Sequence, residues 1–152
     1  MALTFDSRSV DDSDADRLLS GFQADIASLY EGWTPDSGPS ADPADFAPPG
    51  GDFLVVSLDG EAVACGGLKR LDSASVEVKR LYVAHEARRG GVARALMGAL
   101  EQRARELGYE RVRLDTGAEQ PGALALFRSL GYTEIEDYNG NPWAAYWLEK
   151  RF

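Results

Sequence analysis

The residues with most chemical promise lie between Val76 and Leu96. Arg88-Arg89-Gly90-Gly91-Val92-Ala93-Arg94 sets two adjacent glycines among three arginines. It follows the alternating segment Val76-Glu77-Val78-Lys79-Arg80-Leu81-Tyr82-Val83. Glycine lets the backbone turn sharply and approach a ligand with no side chain in the way. A helix that begins at such a turn offers unpartnered N–H groups and the positive end of its dipole, a ready site for a pyrophosphate. Taken alone, two glycines read first as a plain strand-to-helix turn with solvated arginines, and the anion site stands beside that reading. Neither G-x-G-x-x-G nor G-K-[ST] occurs here, so the dinucleotide fingerprint and the P-loop are not met.

Other reactive side chains are few. The single cysteine, Cys65, lies in the apolar stretch Ala62 to Gly67, which predicts a buried, inert thiol and not a nucleophile. One cysteine also excludes an internal disulfide framework and fits a reducing compartment. The single histidine, His85, falls in a surface turn and is given no role. No His, Cys and carboxylate cluster has metal-ligand spacing, so no catalytic metal is expected. One histidine leaves no room for a Ser/His/Asp set, and a covalent acyl-enzyme through Cys65 is disfavoured.

The elements that must position the turn follow from periodicity. Leu3 to Arg8 predicts a first strand, and Asp11-Asp12-Ser13-Asp14 supplies capping oxygens and negative charge for a helix over 13–31. Leu18, Leu19, Phe22, Ile26 and Leu29 form its apolar stripe. From Gly32 to Gly51 the composition turns to Pro, Gly, Ser, Asp and Ala, a loop with room for a helical turn at Pro43 to Phe46. Phe53 to Leu58, the hairpin signal Asp59-Gly60, Glu61 to Leu71 and Ala74 to Val83 make an antiparallel meander. Val92, Leu96, Ala99, Leu100, Ala104 and Leu107 then predict a helix over 91–107, ended by Gly108. A strand at 111–115, a helix opening at Pro121 and ending at Gly131, and strands at 132–136 and 144–149 complete the order β-α-β-β-β-α-β-α-β-β. That order is an α/β or α+β domain spanning 1–152, with a mixed, mostly antiparallel sheet. One βαβ crossover makes the strands at 76–83 and 111–115 parallel.

Arg88-Arg89-Gly90-Gly91-Val92-Ala93 matches the Q/R-x-x-G-x-G/A signature of the GNAT N-acetyltransferase superfamily. Glu77 to Val83 resembles that family's splayed strand. Gln120-Pro121-Gly122-Ala123-Leu124-Ala125-Leu126-Phe127-Arg128-Ser129-Leu130-Gly131-Tyr132 resembles its N-x-x-A-x-x-L-Y-x-x-x-G-F segment. The resemblance covers about residues 53 to 136. It implies acetyl-CoA as co-substrate, with pyrophosphate on the amides and charges of Arg88 to Arg94 (Gly90, Gly91, Val92 and Ala93 among them). It also implies pantetheine along Leu81, Tyr82 and Val83, and further cofactor contacts from Gln120, Ala123 and Phe127. Two departures stand out. Gln120 replaces the usual Asn, and Phe127 replaces a tyrosine commonly assigned as the acid that protonates the departing thiolate.

The family's chemistry, direct attack of an amine on the acetyl thioester, requires a base because alkylamines are mostly protonated near neutral pH. Glu77, just upstream of the pantetheine strand, is the candidate base, against a structural pairing with Lys79 or Arg113. Leu81 or Val83 N–H would polarise the thioester carbonyl. Asp115 and Thr116 end the strand after the cofactor helix, where the acyl group should sit, against the rival reading of a helix cap or turn. The turn Tyr138-Asn139-Gly140-Asn141-Pro142-Trp143 would lie beside the acceptor, with Tyr138 the reserve acid and Asn139 and Asn141 substrate contacts. Trp33 would line the acceptor side unless it belongs to the core. The expected acceptor is an amine of a small molecule, amino acid or peptide. A module that binds acyl-CoA without turnover is the rival from another class.

The composition bounds the partners. At 152 residues with 44% hydrophobic and 27% charged content, the chain suits one globular core. The net charge of −9 argues against nucleic acid. The start Met1 to Asp6 lacks signal-peptide character, and no apolar run approaches the roughly eighteen residues that span a bilayer. The expectation is a cytoplasmic protein with no membrane partner. Family members often dimerise, so the resemblance admits a homodimer.

Overall fold

The computed structural model describes residues 2–152 as seven strands and three α-helices. Strand β1 is Leu3–Ser7, and helix α1 is Ser13–Leu29. The Asp12 side chain accepts from Asp14 N and Ala15 N and so caps α1. A 3₁₀ turn at Pro43–Phe46 punctuates the long loop. Then come β2 (Asp52–Leu58), β3 (Glu61–Arg70) and β4 (Ser75–Val83). A 3₁₀ turn at His85–Ala87 leads into α2 (Val92–Glu106). Strand β5 (Arg111–Thr116), α3 (Pro121–Ser129), β6 (Thr133–Ile135) and β7 (Tyr146–Arg151) follow. The last strand starts two residues later than periodicity suggests. Asn141 to Ala145 are held as a turn, with Ala144 N bonded to Asn141 O and Ala145 N to Thr116 O, before Tyr146 takes up register with Thr116.

The seven strands form one sheet in the order β1-β2-β3-β4-β5-β7-β6. Only β4–β5 is parallel, as a crossover through a helix requires. One face carries α2, with Leu96, Met97 and Leu100 fully buried against Val76, Val112 and Leu114. Each such side chain contributes about 1.5–3 kcal/mol relative to an exposed one. The other face carries α1 and the 3₁₀ turn, where Ala15, Leu18, Phe46, Phe53 and Cys65 pack. Cys65 is fully buried, and burial pushes its thiol up to about 12, the inert state its apolar neighbours predict.

Two irregularities in β4 shape the site. It pairs with β5 only over Ser75–Arg111, Val76–Val112 and Glu77–Arg113, after which the two strands part. Against β3 the register jumps between Gly67–Lys79 and Cys65–Tyr82, so that Arg80 and Leu81 together face Gly66. Arg80 takes φ +58° to make this bulge. Gly66 admits it, because a Cβ there would lie 2.9 Å from Leu100 and 3.2 Å from Leu81.

Candidate active site

The turn between β4 and α2 is made of backbone. Gly91 adopts φ +80° immediately before α2, a conformation that glycine takes without strain. No side chain caps this helix, and no acidic residue occupies its first turn. The first backbone bond runs from Ala95 N to Gly91 O (3.0 Å), so the amides ahead of it must find partners outside the helix. Such a terminus fits an anion. On the strand side, Ala84 N bonds Val63 O on β3, so by alternation the N–H group of Val83 points toward the gap left by β5. The residues present therefore match a pyrophosphate at the turn and an extended amide chain along β4.

The three arginines of the turn differ in what they do. Arg88 was expected to offer its charge to the ligand. Instead its Nε donates to Val83 O (2.9 Å) and its terminal nitrogen to Asp25 of α1 (2.5 Å), which ties the turn to α1. An anionic side chain and a strand-end carbonyl both lie within its reach, and they claim it. His85 is exposed and meets the same Asp25 at 3.0 Å. Arg94 reaches Ser129 Oγ on α3 at 2.7 Å, and Arg89 is exposed with φ +66°. Tyr82 lies against α1, where its hydroxyl occupies the space a side chain on Gly21 would need.

Where β4 and β5 part, a cavity of about 210 Å³ opens. Its wall takes Glu77 to Leu81 from β4, Leu114 to Thr116 from β5, and Ala123 and Phe127 from α3. Phe22 and Ile26 of α1, its C-cap Tyr30, Trp33 of the loop, and Asn141 and Trp143 also line it. The apolar stripe of α1 serves two environments. Leu18 is core, but Phe22 and Ile26 are half-buried at the cavity and Leu29 is 44% exposed. Periodicity reports an apolar stripe and does not distinguish a core from a cavity wall.

The polar groups form one connected network. Glu77 is 3% exposed, and its Oε2 accepts from Tyr138 Oη (2.5 Å) and Asn139 Nδ2 (3.1 Å). The same Asn139 Nδ2 donates to Asp115 (2.6 Å), and Asn141 Nδ2 approaches Asp115 at 3.3 Å. Trp147 Nε1 donates to Asn139 Oδ1 (2.9 Å) and fixes which way that amide faces. Lys79 Nζ sits 3.5 Å from Glu77, the pairing weighed for it, whereas Arg113 binds Glu149 (2.9 Å). Burial pushes the Asp115 carboxyl above its ordinary range, and the nearby charge of Glu77 adds to this. Burial and the Glu77 carboxylate together hold the Tyr138 phenol well above its usual value.

Several expected contacts change meaning here. Tyr138 donates its proton to Glu77 and lines a separate shallow groove with Arg113 and Glu149, so it backs Glu77 instead of facing the cavity. Asn139 likewise bridges two carboxylates and is absent from the cavity wall. Gln120 spends its oxygen on Tyr30 Oη (3.1 Å) and Gly117 N (3.3 Å). Neither Asp115 nor Thr116 caps a helix. Thr116 is 5% exposed, and its hydroxyl has no partner. Phe127 is buried in the cavity wall and brings no proton donor. Among the described residues no group of three or more His, Cys, Asp or Glu side chains could hold a metal ion, and no helix is long and apolar enough to cross a membrane.

Comparison with known proteins reaches the same stretch of chain. The model of the acetyltransferase (GNAT) family matches residues 19–132. Human N-acetyltransferase 8 is 38% identical over 88 residues, which cover 55% of this chain and 39% of that protein. The chain spans about half the length of the curated relatives it matches. A GNAT-family acetyltransferase from Staphylococcus aureus superposes with a TM-score of 0.82 over 99% of both chains at 16% identity. The PaiA N-acetyltransferase of Thermoplasma acidophilum, solved in complex with coenzyme A, gives 0.74 over 100% of both chains at 14% identity. These two show the same fold.

Proposed function

Because the chain belongs to the GNAT acetyltransferase family, we propose that it is an acetyl-CoA-dependent N-acetyltransferase whose acceptor is a primary amine of a small molecule, amino acid or peptide. The observation that carries the reading is the placement of a buried carboxylate, Glu77, at the point where β4 and β5 separate. It is the last residue of β4 paired to β5, and it lines the cavity that opens beyond it. The coenzyme A complex of the Thermoplasma protein supports the assignment of the cofactor.

Acetyl-CoA supplies an acetyl group already activated as a thioester. The chain's residues do the rest. The outward amides at Gly91, Val92 and Ala93 hold the pyrophosphate, with Arg89 and Arg94 beside it and Arg88 fixing the turn from behind. Gln120, Ala123 and Phe127 form the α3 side of the cofactor channel, and Tyr82 anchors β4 to α1. Leu81 or Val83 N–H hydrogen-bonds the carbonyl oxygen as negative charge develops there. Glu77 accepts the amine proton as the C–N bond forms and the C–S bond breaks. Tyr138 and Asn139 orient it, since each hydrogen bond fixes one lone-pair direction of Oε2. Trp33, Asp115, Thr116 and Asn141 line the acceptor side. No residue replaces the tyrosine absent at Phe127, and a thiol of pKa about 8.5 leaves without one near neutral pH.

Calorimetric titration with acetyl-CoA, followed by thiol release with an amine library, tests this. Saturable binding and acceptor-dependent release are expected. Binding without release across the library would instead favour an acyl-CoA sensor, the reading that Phe127 motivates.

A further inference from the structure

In a regular strand Lys79 and Arg80 point to opposite faces. Here the bulge, with Arg80 at φ +58°, breaks that alternation, and both residues contribute to the cavity wall, Arg80 reaching Ala41 of the same wall. A non-glycine residue in that region costs on the order of 1 kcal/mol or more and persists where the surroundings enforce it. The half-buried Arg80 guanidinium lies 5.0 Å over the Phe46 ring and makes one hydrogen bond, to Ala41 O (3.1 Å). Among the described residues no carboxylate comes within ion-pair distance of it. Asp45, the carboxylate that acts on it from a distance, is 3.8 Å from Lys69 and accepts from Asp42 N. Arg88, Arg103 and Arg113, by contrast, each hold a carboxylate at 2.9 Å or less.

A desolvated cation with no counter-ion is unfavourable by itself, and most of the Arg80 donors remain unused. Burial lowers its pKa, and the opposing influence of Cys65 and Asp45 does not outweigh the desolvation. The same cavity carries two carboxylates, Glu77 and Asp115, satisfied chiefly by neutral donors. The wall is therefore acidic at one place and basic at another, with Tyr30, Trp33 and Trp143 forming its aromatic side.

We infer that the acceptor is an α-amino acid or a close derivative with a free carboxylate, which Arg80 binds while the amine faces Glu77 and Asp115. The guanidinium fork matches a carboxylate in two parallel hydrogen bonds. This inference rests on the acetyltransferase reading above, and it concerns only which amine is chosen.

The test uses matched triplets: phenylalanine, leucine and methionine, each with its carboxamide and its decarboxylated amine, assayed by thiol release. The amino acid is expected to show kcat/KM about 10- to 100-fold above its amide and its amine, the range of a charge-assisted hydrogen bond. Arg80→Gln should collapse that ratio toward one, mainly by raising KM for the acids. Equal use of all three members by the unmodified protein would overturn the inference and leave the acetyltransferase reading intact. An Arg80→Gln loss shared evenly by acids and amines would overturn it too. If no amine turns over, the N-acetylated acids and N-acetylated amines can be titrated calorimetrically into the protein–CoA complex. Tighter binding of the acids supports the Arg80 contact, and equal binding refutes it.

Discussion

The turn at Arg88 to Arg94 and the carboxylate pair Glu77/Asp115 are two halves of one site, built by opposite means. The turn is contiguous, and its chemistry belongs to the backbone: amides left over at a helix start, set by one positive φ at Gly91. The carboxylate pair draws on β4, β5, the 137–143 turn and β7, and its chemistry belongs to side chains that meet only in the folded sheet. Substitutions should therefore separate cofactor binding from turnover.

The largest expected effect is at the turn. Gly91→Asp places a carboxylate where the pyrophosphate belongs and should weaken acetyl-CoA binding about 100-fold or more, read by calorimetry. Aspartate tolerates positive φ better than most residues and suits a helix N-terminus, so the fold should survive. A folded variant with undiminished affinity would remove the turn from the cofactor site.

Glu77→Gln is the converse. The amide oxygen can still accept from Tyr138 and Asn139, but it cannot take a proton. Turnover should fall by about 100-fold or more, with acetyl-CoA affinity unchanged. An unaltered rate would leave Glu77 a structural carboxylate, like Glu149 across Arg113.

The smallest effect concerns Asp115 and stability. Its folded-state carboxyl binds a proton more tightly than the unfolded one, so its contribution to folding is fully present at low pH. That contribution is lost as the pH rises through the raised folded value. Asp115→Asn should thus raise Tm at neutral pH, and the gain should fade as the pH falls toward the ordinary carboxylate range. A Tm difference that is flat with pH would show that the carboxyl is not strained by burial.

The sequence by itself determined the element order, the parallel crossover and the glycine turn that opens α2. These rest on local rules: periodicity of apolar residues, capping, and the freedom of glycine at a helix start. It also marked Glu77 as a carboxylate in an otherwise apolar strand and Cys65 as a buried thiol. Only the tertiary structure decided that Tyr138 and Asn139 stand behind Glu77, that Arg88 answers to Asp25, and that Phe22 and Ile26 face a cavity. The bulge at Arg80 and Leu81 belongs to the same class. Its cause is a pairing between β3 and β4, with Gly66 small enough to accept Leu81. Partners of that kind are chosen by which strands adjoin and in what register, and no local pattern in the chain encodes the choice.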